Sequence, residues 1–285
     1  MKLGIAFAGG GLKGIAYIGV IKALEELGIK PEYISGTSSG SLFASSYAMG
    51  FSSKELKELT NEYYKTLTKL DKRPISKAIF TYLTSGVARI EGIIDGAKIS
   101  NLIENIANKK NIKSMSDVKK NLAICTVDTI STNECIFLSK ECKEKQENID
   151  YIYNASIAIA TRASMSFPGI FTPCNYDKYN FIDGGTTDNY PTKILKIMGA
   201  DKVIGLHFRL DDYIPKEDIF AVLLRAVDIF SLEDVRDTEK YADLSIEINA
   251  KGAGLLVVDN FDKLIETGYN AIIDNKNKIL ELCET

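Results

Sequence analysis

Tyr33-Ile34-Ser35-Gly36-Thr37-Ser38-Ser39-Gly40 decides how the rest of this 285-residue chain is read. A short apolar run halts at Gly36, and Ser38 stands in a Gly-x-Ser-x-Gly frame between Gly36 and Gly40. Helix-compatible sequence (41–49) follows at once. Small residues on either side of a serine let the backbone take a sharp strand-to-helix turn that lifts the hydroxyl clear of a sheet, as in a nucleophile elbow. The same residues also suit an ordinary strand–loop–helix junction in which Ser38 or Ser39 caps the helix. What surrounds the pentapeptide has to decide between the two.

Upstream, residues 2–8 read as a buried strand. Residues 12–27 read as a helix with Ala16, Val20, Ala23, Leu24 and Leu27 on one face and Gly28 as its stop. Residues 31–35 form the second strand. Such a βαβ unit has parallel strands, so the loop Gly9-Gly10-Gly11-Leu12-Lys13-Gly14 opens at the same sheet edge as the serine loop. Neighbouring strands lie about 5 Å apart, which lets the two loops meet. The glycine loop fits Gly-x-Gly-x-x-Gly, but a dinucleotide site wants an acidic residue at the end of the second strand, where Ser35-Gly36-Thr37-Ser38 stands. A phosphate-binding loop wants Lys-Ser or Lys-Thr after its last glycine, where Ile15-Ala16 follows. Unobstructed N–H groups at a helix start suit an oxyanion beside a serine nucleophile instead. Lys13 either strengthens that field or is a plain solvated lysine.

A serine nucleophile needs a base. The chain has one histidine, His207, and Ser38, Asp183 and His207 fill a Ser…Asp…His order. Two features count against that triad. His207 lies inside the apolar strand pattern 202–208, and the serine loop comes after only the second strand, early for an α/β-hydrolase. Asp183 ends a short strand and precedes Gly184-Gly185, at a strand C-terminus where α/β sites form. Taken alone, Asp-Gly-Gly is equally a common turn. Taken with both loops, Asp183 is the expected base of a Ser–Asp dyad.

Further helical patterns at 53–70, 97–108, 150–160, from Pro191, at 217–234 and at 260–282 alternate with strand patterns at 122–128, 134–138, 202–208 and 243–248. This predicts a layered α/β fold in one domain over residues 1–285. Apolar residues in 74–96 read as a cap or as packed core, and those in 219–230 as a membrane or subunit contact or as core. A hydrophobic content of 45% supports a sizeable core, and a net charge of -3 argues against nucleic acid as a partner. Five scattered cysteines without a Cys-x-x-Cys suggest reduced thiols in the cytoplasm. A single histidine and no cysteine cluster at ligand spacing exclude most zinc hydrolase arrangements. No secretory leader or membrane-length apolar run is evident.

Together these residues resemble the patatin-like phospholipase family. The matching blocks are the loop from Gly9 to Gly14, Gly36-Thr37-Ser38-Ser39-Gly40, and Asp183-Gly184-Gly185. Arg162-Ala163-Ser164-Met165-Ser166-Phe167-Pro168 and Asp188-Asn189-Tyr190-Pro191 are also similar to family segments. The resemblance covers roughly residues 3–210; residues 211–285 share only the general α/β pattern and read as a strand and helices packed on the core. It implies a three-layer fold with a mainly parallel central sheet flanked by helices. It also implies a Ser38–Asp183 dyad, an oxyanion loop of Gly9, Gly10, Gly11, Leu12, Lys13 and Gly14, and an elbow of Gly36, Thr37, Ser39 and Gly40 around the nucleophile. The activity implied is hydrolysis of lipid acyl esters, of the phospholipase A or lysophospholipase kind, with no metal or other cofactor. Expected partners are a phospholipid or other acyl ester and, transiently, a membrane surface reached from the cytoplasm. Two alternatives stay open: a non-catalytic lipid- or partner-binding module on the same fold, and an esterase or thioesterase for soluble acyl esters.

Overall fold

The alternating apolar residues of the first two strands fold as β1 (Leu3–Phe7) and β2 (Tyr33–Thr37), which lie parallel with Phe7 opposite Gly36. The computed structural model describes residues 1–67, 84, 92–142, 144–210, 219–251, 253 and 260–284. Between these strands runs a short 3-10 turn (Gly11–Ile15) and then α1 (Ala16–Glu26), closed by Gly28 at φ 71°. Behind β2 come α2 (Ser39–Ala48) and α3 (Ser53–Leu67), then β3 (Gly92–Ile94) and α4 (Ala97–Lys109). Most of the apolar stretch 74–96, read as cap or core, lies outside the described residues.

β4 (Asn121–Asp128) and β5 (Glu134–Leu138) form an antiparallel hairpin, followed by β6 (Ile149–Ile152) and α5 (Ile157–Ser164). Next come β7 (Gly169–Phe171), β8 (Cys174–Tyr176), β9 (Tyr179–Asp183), α6 (Thr192–Met198) and β10 (Lys202–Phe208). The chain finishes with α7 (Ile219–Thr238), β11 (Leu244–Ile248), α8 (Phe261–Asp274) and α9 (Lys276–Glu284). The main sheet runs β11-β10-β1-β2-β4-β5-β6, with the β8–β9 hairpin attached to β4; β3 and β7 pair separately. Of its neighbouring pairs along that path, only β4–β5 is antiparallel.

Side-chain alternation along β1 shows why three layers result. Leu3, Ile5 and Phe7 join the cluster that holds α1 and α8, while Ala6 packs with Leu195 of α6 on the opposite face. The expected mainly parallel sheet with flanking helices is what the chain forms. The tightest helix contact is between α1 and α8, where a Cβ at Gly19 or at Gly268 would collide with the other helix's backbone. Among the described residues, no helix is long and apolar enough to cross a membrane.

Two helix expectations need correction. Residues 150–160 are not one helix: β6 pairs in parallel with β5, Cys135 opposite Asp150, and the helix starts only at Ile157. There the Ser156 hydroxyl accepts the Ala158 N–H at 3.2 Å and so sets the start. Upstream of that cap, Tyr151, Ile152 and Tyr153 suit a pleated strand better than a helix. Residues 260–282 are divided at Asn275, whose side-chain amide donates to the Ala271 carbonyl at 2.9 Å and closes α8 before α9 begins.

What positions the site is the edge of β4. Its first half pairs in parallel with β2, ending at Thr37 opposite Cys125. Its last residues pair antiparallel with β9, which arrives from the other direction and ends at Asp183 opposite Thr126. Two strands therefore finish nose to nose on one neighbour. The residue after Thr37 is Ser38.

Candidate active site

Ser38 has φ 52° and ψ -128°, a conformation an L side chain adopts only under constraint. The constraint is visible in its bonds. Its N–H donates to Ser164 Oγ at 2.9 Å, and Ser164 in turn donates to the Cys125 carbonyl at 2.7 Å. Its carbonyl accepts from the Ser41 N–H at 2.9 Å and the Ser41 hydroxyl at 2.6 Å. α2 begins at the next residue, so the positive end of that helix faces the serine. Gly40 is required by close approach: a Cβ there would collide with the Phe7 carbonyl oxygen of β1. The strand-to-helix turn at Ser38 is strained, and the Ser38 side chain makes no cap bond to α2.

Asp183 is 1% exposed. Its Oδ1 accepts the Gly185 N–H at 2.8 Å, while Oδ2 is buried and completes no hydrogen bond. Burial pushes this carboxyl up to about 7; the Ser38 hydroxyl beside it and the Gly185 N–H pull in the opposite direction. The backbone of Asp183 is fixed as well, its N–H donating to the Ser166 carbonyl at 3.0 Å. Ser166 bonds in turn to the buried Arg162.

The glycine loop lies against both. A Cβ at Gly9 would stand 2.8 Å from Ser38 Cβ. Gly9 N–H donates to the Asn189 carbonyl at 3.3 Å, Gly10 N–H to Ser39 Oγ at 3.2 Å, and Lys13 N–H to the Gly10 carbonyl at 3.2 Å. Gly11 and Leu12 open the 3-10 turn, so their N–H groups have no acceptor within it. Of the six loop residues, Gly9, Gly10, Gly11 and Lys13 line the cleft, whereas Leu12 packs on the core and Gly14 lies under Ser39 and Phe43. Thr37 and Ser39 serve as struts, through Thr37 Oγ1 to the Asp188 carbonyl at 2.7 Å and the Ser39–Gly10 bond.

Ser38, Asp183 and the glycine loop share a cleft of about 260 Å³ with Phe167, Asn189, Phe208, Leu232 and Val235. His207 sits in β10 as expected and also lines this cleft, its ring edge-on to Tyr190 at 5.5 Å. Burial lowers its pKa, and the charges acting on it are Glu247 and Glu239 rather than Asp183. Sequence reasoning quoted Ser164, Ser166 and Asn189 within family-like segments without assigning them a task. The α7 residues of the cleft wall carried no signal.

The family model described as patatin-like phospholipase matches residues 5–196. An uncharacterized protein, YqhO, of Bacillus subtilis is 28% identical over 210 residues, covering 70% of this chain and 69% of that protein. The human patatin-like phospholipase domain-containing protein 6 is 27% identical over 206 residues, covering 72% of this chain but 13% of that much longer protein. Among solved structures, VipD from Legionella pneumophila superposes with TM-score 0.53 at 17% identity, over 96% of this chain and 66% of VipD. The type III effector ExoU gives TM-score 0.50 at 13% identity, over 97% of this chain and 53% of ExoU. These two structural likenesses concern the fold. The matched model spans well over half the sequence, and it includes both strand ends that meet on β4. The chain belongs to the patatin-like phospholipase family.

Proposed function

We propose that this protein is a serine lipid acyl hydrolase working through a Ser38–Asp183 dyad. Family membership supports lipid hydrolysis in general. The observation that carries the finer reading is the buried Asp183 carboxyl, whose Oδ2 has no hydrogen-bond partner and whose pKa the neighbouring Ser38 hydroxyl lowers. In this mechanism the ionised Asp183 takes the Ser38 proton as Oγ attacks the ester carbonyl carbon. The resulting oxyanion is held by the N–H groups that the glycine loop leaves unused, those of Gly11 and Leu12 being the best supplied. Asp183 then returns the proton to the departing alkoxide oxygen as its bond to carbon breaks, leaving acyl-Ser38. Water attacks that acyl group, gives its proton to Asp183, and releases a carboxylic acid while Ser38 recovers its hydrogen. No step calls on His207.

A membrane surface is the proposed source of substrate. α7 lends Leu232 and Val235 to the cleft while Ile229 and Phe230, 47% and 58% exposed, face away from the core. All five cysteines are free, which supports a reducing compartment and hence a cytoplasmic setting with peripheral membrane contact. Labelling with a fluorophosphonate probe tests the chemistry. Folded protein should label at Ser38, and Ser38→Ala should not label; absence of label in the wild type favours a non-catalytic binding module. Faster turnover of dispersed short-chain esters than of phospholipid vesicles would favour the soluble-esterase alternative.

A further inference from the structure

Asp188, which is buried, and Glu134, which is half-buried with its Oε1 inside, are acids that the ester chemistry does not use. Asp188 lies on the loop between β9 and α6 and is 9% exposed; Glu134 is the first residue of β5. Their carboxylate oxygens and Cys125 Sγ all lie within 4.8 Å of one another. Asp188 Oδ1 and Glu134 Oε1 are both buried without a hydrogen-bond partner. Among the described residues, the one other such side-chain atom is Asp183 Oδ2. The second oxygen of Asp188 accepts from the Cys125 thiol at 3.7 Å. Two ionised carboxylates this close in a water-poor interior repel each other and leave lone pairs unpaired. One proton held between them removes a charge and supplies the missing bond.

We propose that Asp188 and Glu134 share a single proton, and that this pair is a positioning element for the Ser38–Asp183 site. The backbone of Asp188 shows how. Its carbonyl accepts the Thr37 hydroxyl at 2.7 Å and its N–H donates to the Gly184 carbonyl at 2.9 Å, so it bridges the residues flanking Ser38 and Asp183. The side chain is the anchor that keeps this bridge in place. The charged and titratable groups facing the pair are Asp234 on α7, Lys193 on α6, Tyr151 on β6, Cys135 on β5 and Cys125 on β4. Burial, then Glu134 and Asp234, push Asp188 well up. Burial raises Glu134 too, but hydrogen bonding to Asp188 and the charge of Lys193 pull against it. Lys193 supplies a counter-charge to Glu134.

The proton sharing stands apart from the hydrolase reading; only the positioning half rests on it. In the unfolded chain both acids ionise near their ordinary values of about 4. The folded pair keeps one proton above that, so the folded state binds more protons and stability falls as pH rises. The test is the pH dependence of Tm between pH 5 and 9 for wild type, Asp188→Asn and Glu134→Gln. Each variant puts an amide N–H where the proton was, and each should flatten the slope by about one proton. Asp183 and Asp234, also raised by burial, contribute to the slope in wild type and variants alike, so the difference isolates the pair. Unchanged slopes in both variants overturn the proposal. So does one equivalent of bound metal in the purified wild type that both variants lose, because a cation would then replace the proton. For positioning, Asp188→Leu should lose at least about tenfold in kcat relative to Asp188→Asn, with KM little moved; equal rates overturn that half. Should the leucine variant not fold, Thr37→Val cuts the bond to the Asp188 carbonyl. It should lower kcat while keeping the wild-type Tm slope, and an unchanged kcat again overturns positioning. If no ester is ever turned over, the Tm comparison still decides the shared proton.

Discussion

Ser38 and Asp183 are held in opposite ways, and their variants should behave differently as a result. Ser38 is a strained residue fixed by bonds to its backbone; Asp183 is a costly burial with one oxygen that lacks a hydrogen-bond partner. Asp183→Asn should lower turnover by about 10²–10⁴-fold, the scale of a lost general base. It should also raise Tm at pH 8. The folded pKa near 7 exceeds the unfolded value, so the stability linked to this carboxyl is complete at low pH and lost as pH climbs through 7. The amide escapes that loss. For the same reason kcat/KM of the wild type should rise through about pH 7 as Asp183 ionises. His207→Gln should keep most of the activity; its loss would restore the triad. At this scale the sequence was readable where a residue type is tied to a turn, as at Gly36 to Gly40 and Asp183-Gly184-Gly185. It was silent on Glu134, because a carboxylate acquires a buried partner only when β5 and the loop after β9 come together.

Elements were legible where their periodicity is long and uninterrupted. β10 spans the apolar run 202–208, and α3 starts at Ser53 as the pattern requires. Residues 150–160 misled because Ile and Ala recur at helical spacing on both sides of Ser156, and only the pairing of Asp150 with Cys135 makes the first part a strand. The short strand that ends at Asp183 was legible, but β8 and its pairing with that strand escaped notice for their shortness. α7 is the element with two unlike faces, Leu232 and Val235 toward the cleft and Ile229 and Phe230 toward solvent. Replacing Ile229 and Phe230 together by serine should lower the rate on phospholipid vesicles severalfold while sparing a dispersed short-chain ester. Vesicle cosedimentation measured alongside would show whether surface binding is what was lost.

For the whole molecule, the open matter was how residues 211–285 relate to the motif-bearing part. The family match ends at residue 196, yet β10 pairs directly with β1 and β11 extends the same sheet. α8 lies on α1 with Gly268 against the Ala16 carbonyl. We read the chain as one domain on this ground. Gly268→Val should force the helices apart at a cost of about 1–3 kcal/mol, and calorimetry should show one transition at lower Tm rather than two. Strand order was beyond the reach of a one-dimensional pattern, which says nothing of β9 running against β4 to meet the end of β2. That meeting has a consequence for how errors would appear. β4 works as a vernier: Thr37 is aligned with Cys125 and Asp183 with Thr126. Slide β9 by a single notch and Ile182 takes the place of Asp183, whose carboxylate swings to the far side of the sheet. An inserted residue at the Asp177-Lys178 turn that produced such a misalignment would leave circular dichroism nearly untouched and the ester uncleaved. On the proposed mechanism, turnover would be an all-or-none gauge of strand alignment.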